Sequence, residues 1–190
     1  MKNKIQEYLL ELIHPELNQK FILEKNIKSI IDNNDGINIS IELNFPYKSQ
    51  EILYEKIIKD GLKKITDLNI TIKWSLKILS RQAQKGVNSI KGVKNIIAIA
   101  SGKGGVGKSS TAANLALALS SEGANVGILD ADIYGPSQPK MLGISQKPKS
   151  KDGKSMEPVM IHDIQIMSIG FLVDQETPMV WRGPMVTSTL

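Results

Sequence analysis

The sequence predicts an α/β chain in two parts: a small α+β domain over residues 1–78, and the first portion of a mainly parallel α/β domain over 96–190, joined by a linker at 79–95. Three observations predict it. Helix-period and strictly alternating segments succeed one another before residue 78. A continuous apolar run at 96–100 enters a glycine-rich loop and then a helix-forming segment. A second apolar run, 126–129, ends in Asp130.

The elements follow in order. Ile5, Tyr8, Leu9, Leu12 and Ile13 recur at helical spacing, and Pro15 closes that helix. Ile27, Ser29 and Ile31 alternate weakly, NNDG at 33–36 signals a turn, and Ile37, Ile39, Ile41, Leu43 and Phe45 alternate strictly, which reads as a hairpin with one buried face. Residues 49–64 read as a helix through Ile52, Leu53, Ile57 and Leu62, with Gly61 weakening its end. Ile70, Ile72, Trp74 and Leu76 alternate again as a strand with Trp74 in the core. Residues 79–95 show no sustained period. The run 96–100 has the pattern of a strand buried on both faces, 110–121 is rich in Ala and Leu, and Gly123 stands where a helix cap belongs. With 126–129 this makes a βαβ unit, hence a parallel sheet with a right-handed crossover. Residues 145–157 read as a lysine-rich loop or hairpin.

Composition narrows the function. The 190 residues hold no cysteine, which excludes disulfides, thiol catalysis and cysteine-ligated metal within them. No run approaches the ~18 apolar residues of a membrane span, and the first residues lack a signal peptide's apolar stretch. A cytoplasmic protein without a membrane partner is expected. Residues 1–95 carry 16 Lys/Arg against 11 Asp/Glu, but these lysines are scattered and no aromatic residues interleave with them. A solvated face is therefore favoured over a nucleic-acid surface. His14 and His162, far apart in sequence, read as structural or surface residues.

Chemistry concentrates at GKGGVGKS, residues 102–109, which satisfies G-x-x-x-x-G-K-[ST] between a strand and a helix. Glycines there permit backbone conformations and close approach that a Cβ obstructs. Amide N–H groups can then converge on phosphate oxygens at a helix N-terminus. Lys108 supplies a point charge for β and γ phosphates, and Ser109 a hydroxyl for Mg²⁺. The nucleotide-binding set is Gly102, Lys103, Gly104, Gly105, Val106, Gly107, Lys108, Ser109 and Ser110. Beyond the loop, DADIYGPS at 130–137 places two carboxylates at i and i+2 at the end of a parallel strand, where ligands bind in open α/β sheets. Asp130 is a candidate to hold magnesium-bound water and Asp132 to orient an attacking water; the alternative is a turn-forming D-x-D.

The cradle itself has no need of Lys103. K-G-G-x-G-K-[ST], residues 103–109, resembles the deviant phosphate loop of a group of dimeric ATPases. That resemblance implies a catalytic Lys103 reaching the partner's nucleotide; a surface lysine without function is the alternative. KGGVGKSSTAANLALAL, the GILDADIYGPSQPKMLG segment and WRGPM at 181–185 closely resemble the Mrp (ApbC) family of iron–sulfur cluster carriers, with IYGPS the discriminating part. HPEL at 14–17 looks like the DPEL motif of the MIP18-like domain found in that family, although NFPYKSQ at 44–50 lacks the cysteine many such domains carry there.

The resemblance implies a homodimeric, ATP- and Mg²⁺-dependent ATP hydrolase that carries an iron–sulfur cluster between scaffold proteins and apo-proteins. It also implies a D-x-P-P-G-T segment and a cluster-holding C-x-x-C pair beyond residue 190, so the chain looks like the front of a longer protein or a truncated product. The alternatives are a positioning or partitioning ATPase, which IYGPS and the amino-terminal domain argue against, and a nucleotide-binding module without turnover. Arg182 in WRGPM is a candidate to approach the nucleotide or the partner, or to serve the loop's structure.

Overall fold

The computed structural model describes residues 1–33, 36–81, 90–153 and 155–172. It divides into two compact units, Met1–Ile96 and Ile97–Leu190.

The first unit packs two helices on a three-stranded sheet. Helix α1 is Lys2–Glu11, β1 is Ile27–Asn33, β2 is Gly36–Leu43, α2 is Glu51–Leu62 and β3 is Ile70–Leu76. The order is β1-β2-β3. β1 pairs antiparallel with β2, and β3 lies parallel to it after the α2 crossover. Alternation along β2 puts Ile37, Ile39, Ile41 and Leu43 on the core face, where they meet Ile5 and Leu9 of α1 and Tyr54, Ile58 and Leu62 of α2. The asparagine and aspartate of the expected turn lie outside the described residues.

Helix α2 buries only part of the stripe its sequence suggests: Leu62 is buried and Ile57 half-buried against the core, but Ile52 and Leu53 are exposed. Tyr54, Ile58 and Leu62, four apart, face inward, while Ile52 is 82% exposed. The phenol selects this face. Tyr54 stacks near Phe21 at 4.6 Å between ring centroids and bonds the buried His14 ring, neither of which Ile52 can do. Gly61 is also more than a weak helix end. A Cβ there would collide with the Tyr8 ring, whose hydroxyl donates to the Ile57 carbonyl at 3.0 Å. The missing side chain is what lets α1 approach α2.

His14 explains the HPEL turn. Its Nδ1 accepts from the amides of Glu16 and Leu17 at 3.1 and 3.2 Å, as a capping carboxylate would. The ring proton therefore sits on Nε2 and faces the Tyr54 hydroxyl at 2.6 Å. Both nitrogens are used internally. Trp74 is half-buried on β3, within 5.8 Å of the Tyr47 ring centroid.

In the second unit, helix α3 is Lys108–Ser121, β4 is Val126–Asp130, α4 is Gln138–Met141, β5 is Val159–Ile161 and β6 is Ile164–Ser168. The order β4-β6-β5 has β4 parallel to β6 and β5 antiparallel to it. α3 ends in a Schellman turn: Gly123, at φ 94°, donates to the Ser120 carbonyl and Ala124 to that of Leu119. His162 and Asp163, both at positive φ, form the two-residue turn between β5 and β6. Ala113 and Ala116 bring α3 close to Ile164 and Ile166 of β6.

The expected strand at 96–100 is not formed. That run is without strand pairing, and Ile96 and Ile97 are exposed. A run buried on both faces becomes a strand only where neighbours take up its backbone groups, and among the described residues no strand pairs with it. The lysine-rich segment after α4 is irregular, crossed by an ion pair from Lys151 to Glu157. WRGPM, with Arg182, lies outside the described residues.

Candidate nucleotide site

The glycine loop leads directly into α3. Gly107 sits at the helix N-cap in the left-handed region, φ 89° and ψ 16°, a conformation that costs little only without a Cβ. Around Gly102, Gly104, Gly105 and Gly107 the space is open, with nothing within 4 Å of where a Cβ would project. None of the described residues fills the cradle, and the first-turn amides of a 14-residue helix lie at its base. Ser101 braces its entrance, donating through Oγ to the Lys103 carbonyl at 2.8 Å and accepting from the Lys103 amide at 3.2 Å. The Lys103 side chain is exposed.

Lys108 projects from the first turn of α3 to Asp132, with Nζ 2.8 Å from Oδ2. The hydrogen bond holds the Lys108 ammonium above the ordinary lysine range and the Asp132 carboxyl below the ordinary carboxylate range. Asp132 also accepts from the Gly135 amide through Oδ1 at 3.2 Å. The two side chains remain about a third exposed, 33% and 38%, so solvent still reaches the pair.

Asp130 does something different. Its Oδ2 accepts from the amides of Ser137 and Gln138 at 3.1 and 3.2 Å and from Ser168 Oγ at 3.1 Å. Its Oδ1 accepts from the Asp132 amide at 3.2 Å. One carboxylate therefore folds the whole 132–138 loop and ties it to the end of β6. Those four donors compete with any metal-bound water for its lone pairs.

Sequence reasoning singles out neither Gln138 nor Ser168, two contributors to this arrangement, and takes Ser137 only as the end of the IYGPS segment. Gln138 is buried, and its Nε2 donates to the Ser109 carbonyl at 3.1 Å. Ser168 lies 38 residues beyond Asp130, so only the parallel pairing of β4 with β6 brings it there.

The donor set fits magnesium at one position: Ser109, half-buried at the mouth of the cradle, offers a hydroxyl. It does not offer Asp130 as a free direct ligand. Among the described residues, no group of three or more His, Asp or Glu is placed to hold a metal.

A family model described as NUBPL iron-transfer P-loop NTPase, of the ParA group, matches residues 92–190. That is more than half of the chain. The chain belongs to this family. Its curated relatives agree: an "iron-sulfur cluster carrier protein" from Haemophilus influenzae is 42% identical over 192 aligned positions, covering all of this chain and 52% of the relative. The protein of the same name from Escherichia coli K12 is 59% identical over 122 positions, 63% of this chain and 33% of the relative. An Arabidopsis thaliana "iron-sulfur protein required for NADH dehydrogenase, mitochondrial" is 56% identical over 102 positions, 53% of this chain and 33% of the relative. The chain spans about half or less of the length of these relatives. No helix among the described residues is long and apolar enough to cross a membrane.

Proposed function

We propose that this chain is the nucleotide-binding part of an ATP-hydrolysing iron–sulfur cluster carrier, acting as a homodimer in the cytoplasm. The observation that carries the reading is the Lys108–Asp132 pair beside an open glycine cradle at the start of α3.

In this proposal the loop amides and Lys108 bind the triphosphate, and Ser109 Oγ holds magnesium, which supplies charge neutralisation on the β and γ oxygens. Lys108 must leave Asp132 to meet the phosphates. That exchange frees the Asp132 carboxylate to orient water toward the γ-phosphate. Lys103, exposed and outside the cradle, acts on the partner's nucleotide and stabilises the charge of the transition state. Asp130 supports this chemistry by fixing the loop that carries Asp132. The cluster is cargo, held by cysteines outside these residues and delivered to apo-proteins, since the chain itself has none.

The exposed run at 96–100 favours a second reading for the chain by itself, nucleotide binding without turnover. Phosphate release by Lys103→Ala and Asp132→Ala variants, alone and mixed, tests both. If Asp132 serves in cis and Lys103 in trans, a mixed dimer regains one intact site and recovers activity that neither variant shows. Two cis roles restore nothing. Absence of turnover in the wild-type chain, with nucleotide bound, supports the module reading.

A further inference from the structure

We infer that Gln138 is a positioning residue that ties the metal-binding serine of the phosphate loop to the aspartate-bearing loop. This rests on the nucleotide-binding reading above.

Four observations lead there. Gln138 is only 3% exposed. Its backbone amide is held by Asp130 Oδ2 at 3.2 Å, and Asp130 is in turn held to β6 through Ser168. Its side-chain Nε2 reaches the Ser109 carbonyl at 3.1 Å. Its Oε1, by contrast, is buried with no hydrogen-bond partner among the described residues. An amide satisfied at one end and orphaned at the other is a costly way to fill space, and an apolar side chain of the same length avoids that cost. What the amide contributes is therefore the bond to Ser109.

That bond has a functional address. Ser109 follows Lys108 in the first turn of α3, and Lys108 is already tied to Asp132. The 130–138 loop thus grips the start of α3 twice, through the Lys108 ammonium and through the Ser109 backbone. The first grip must release when phosphates bind; the second involves no group that phosphate needs. Packing reinforces it, because a Cβ on Gly170 would come within 3.1 Å of Pro136 and 3.3 Å of Pro139, the residue after Gln138. Gln138 keeps the Ser109 hydroxyl in register with Asp132 while Lys108 changes partner.

The test titrates the chain with a fluorescent N-methylanthraniloyl ATP, once with magnesium and once with EDTA, for wild type, Gln138→Glu and Gln138→Met. Glutamate keeps the shape but loses the donor; methionine removes both polar atoms and guards against a misfolded charged variant. Thermal melting is recorded for each. The inference expects both variants to lose about tenfold of the affinity gained from magnesium, the scale of outer-shell effects on metal sites. Affinity in EDTA should stay within about twofold. It is overturned if both variants keep the magnesium gain, if the wild type shows none, or if the two affinities fall together with the melting temperature, which marks a purely structural role. A wild type that binds no nucleotide overturns the nucleotide-binding reading as well, and that failure is visible without any variant.

Discussion

The Lys108 ammonium lies 2.8 Å from the Asp132 carboxylate, so the cation facing the glycine cradle is already engaged by the first loop beyond β4. Under the proposed function, a triphosphate entering the cradle competes with that carboxylate.

Asp132→Asn removes the competitor's charge while keeping its shape. Exposed ion pairs contribute up to about 1 kcal/mol, so ATP affinity should rise about two- to fivefold in this variant while turnover falls. Calorimetry and a phosphate-release assay read the two effects. Unchanged or weaker binding would mean the pair does not stand in the way of the ligand.

The pair also predicts a pH window. Asp132 is lowered from its ordinary value of 3.8, so its contribution is present above that value and lost as pH falls through the lowered folded one. Lys108 is raised from 10.5, so its contribution is present below that value and lost as pH rises through the raised folded one. The urea midpoint of wild type relative to Asp132→Asn should therefore be flat between about pH 5 and 9 and converge below about pH 4. A difference that vanishes near neutrality would contradict the pairing.

Much of this was legible in the sequence, and the exceptions share a cause. Periodicity located α1, the β1–β2 hairpin, α2 and β3, and the glycine pattern located the cradle and Lys108, because these depend on neighbours within a few residues. The buried stripe of α2 depended on Tyr54 finding His14 forty residues away. The run at 96–100 was apolar enough for a strand, yet pairing requires partners that periodicity does not show. The two aspartates looked alike at i and i+2, but Asp130 turns toward Ser168 on β6 and Asp132 toward Lys108 on α3. Long-range partners separate their surroundings.

His14→Ala should cost about 2 kcal/mol, because it strips the cap from two amides and leaves the buried Tyr54 hydroxyl without its ring partner. His14→Asp restores the cap alone and should recover part of the loss. Urea unfolding monitored by circular dichroism measures both. A His14→Ala midpoint equal to wild type would show the turn needs no cap.

Gly61→Ala reverses the usual rule. Alanine in a helix interior is ordinarily better than glycine by about 1 kcal/mol, but here the new Cβ meets the Tyr8 ring. A loss of about 1–3 kcal/mol is expected from overpacking. In a Tyr8→Ala background the same change should be neutral or stabilising. A stabilised single variant, seen by thermal melting, would place Tyr8 elsewhere.

The most direct measurement is calorimetric titration of the chain with Mg·ATP, for wild type and for Lys108→Ala. Saturable binding by the wild type and a loss of at least about thirtyfold in the variant, roughly 2 kcal/mol for one charge-assisted contact, is the predicted result. Equal affinity in the two proteins would contradict the assignment of the 102–109 loop as the phosphate site.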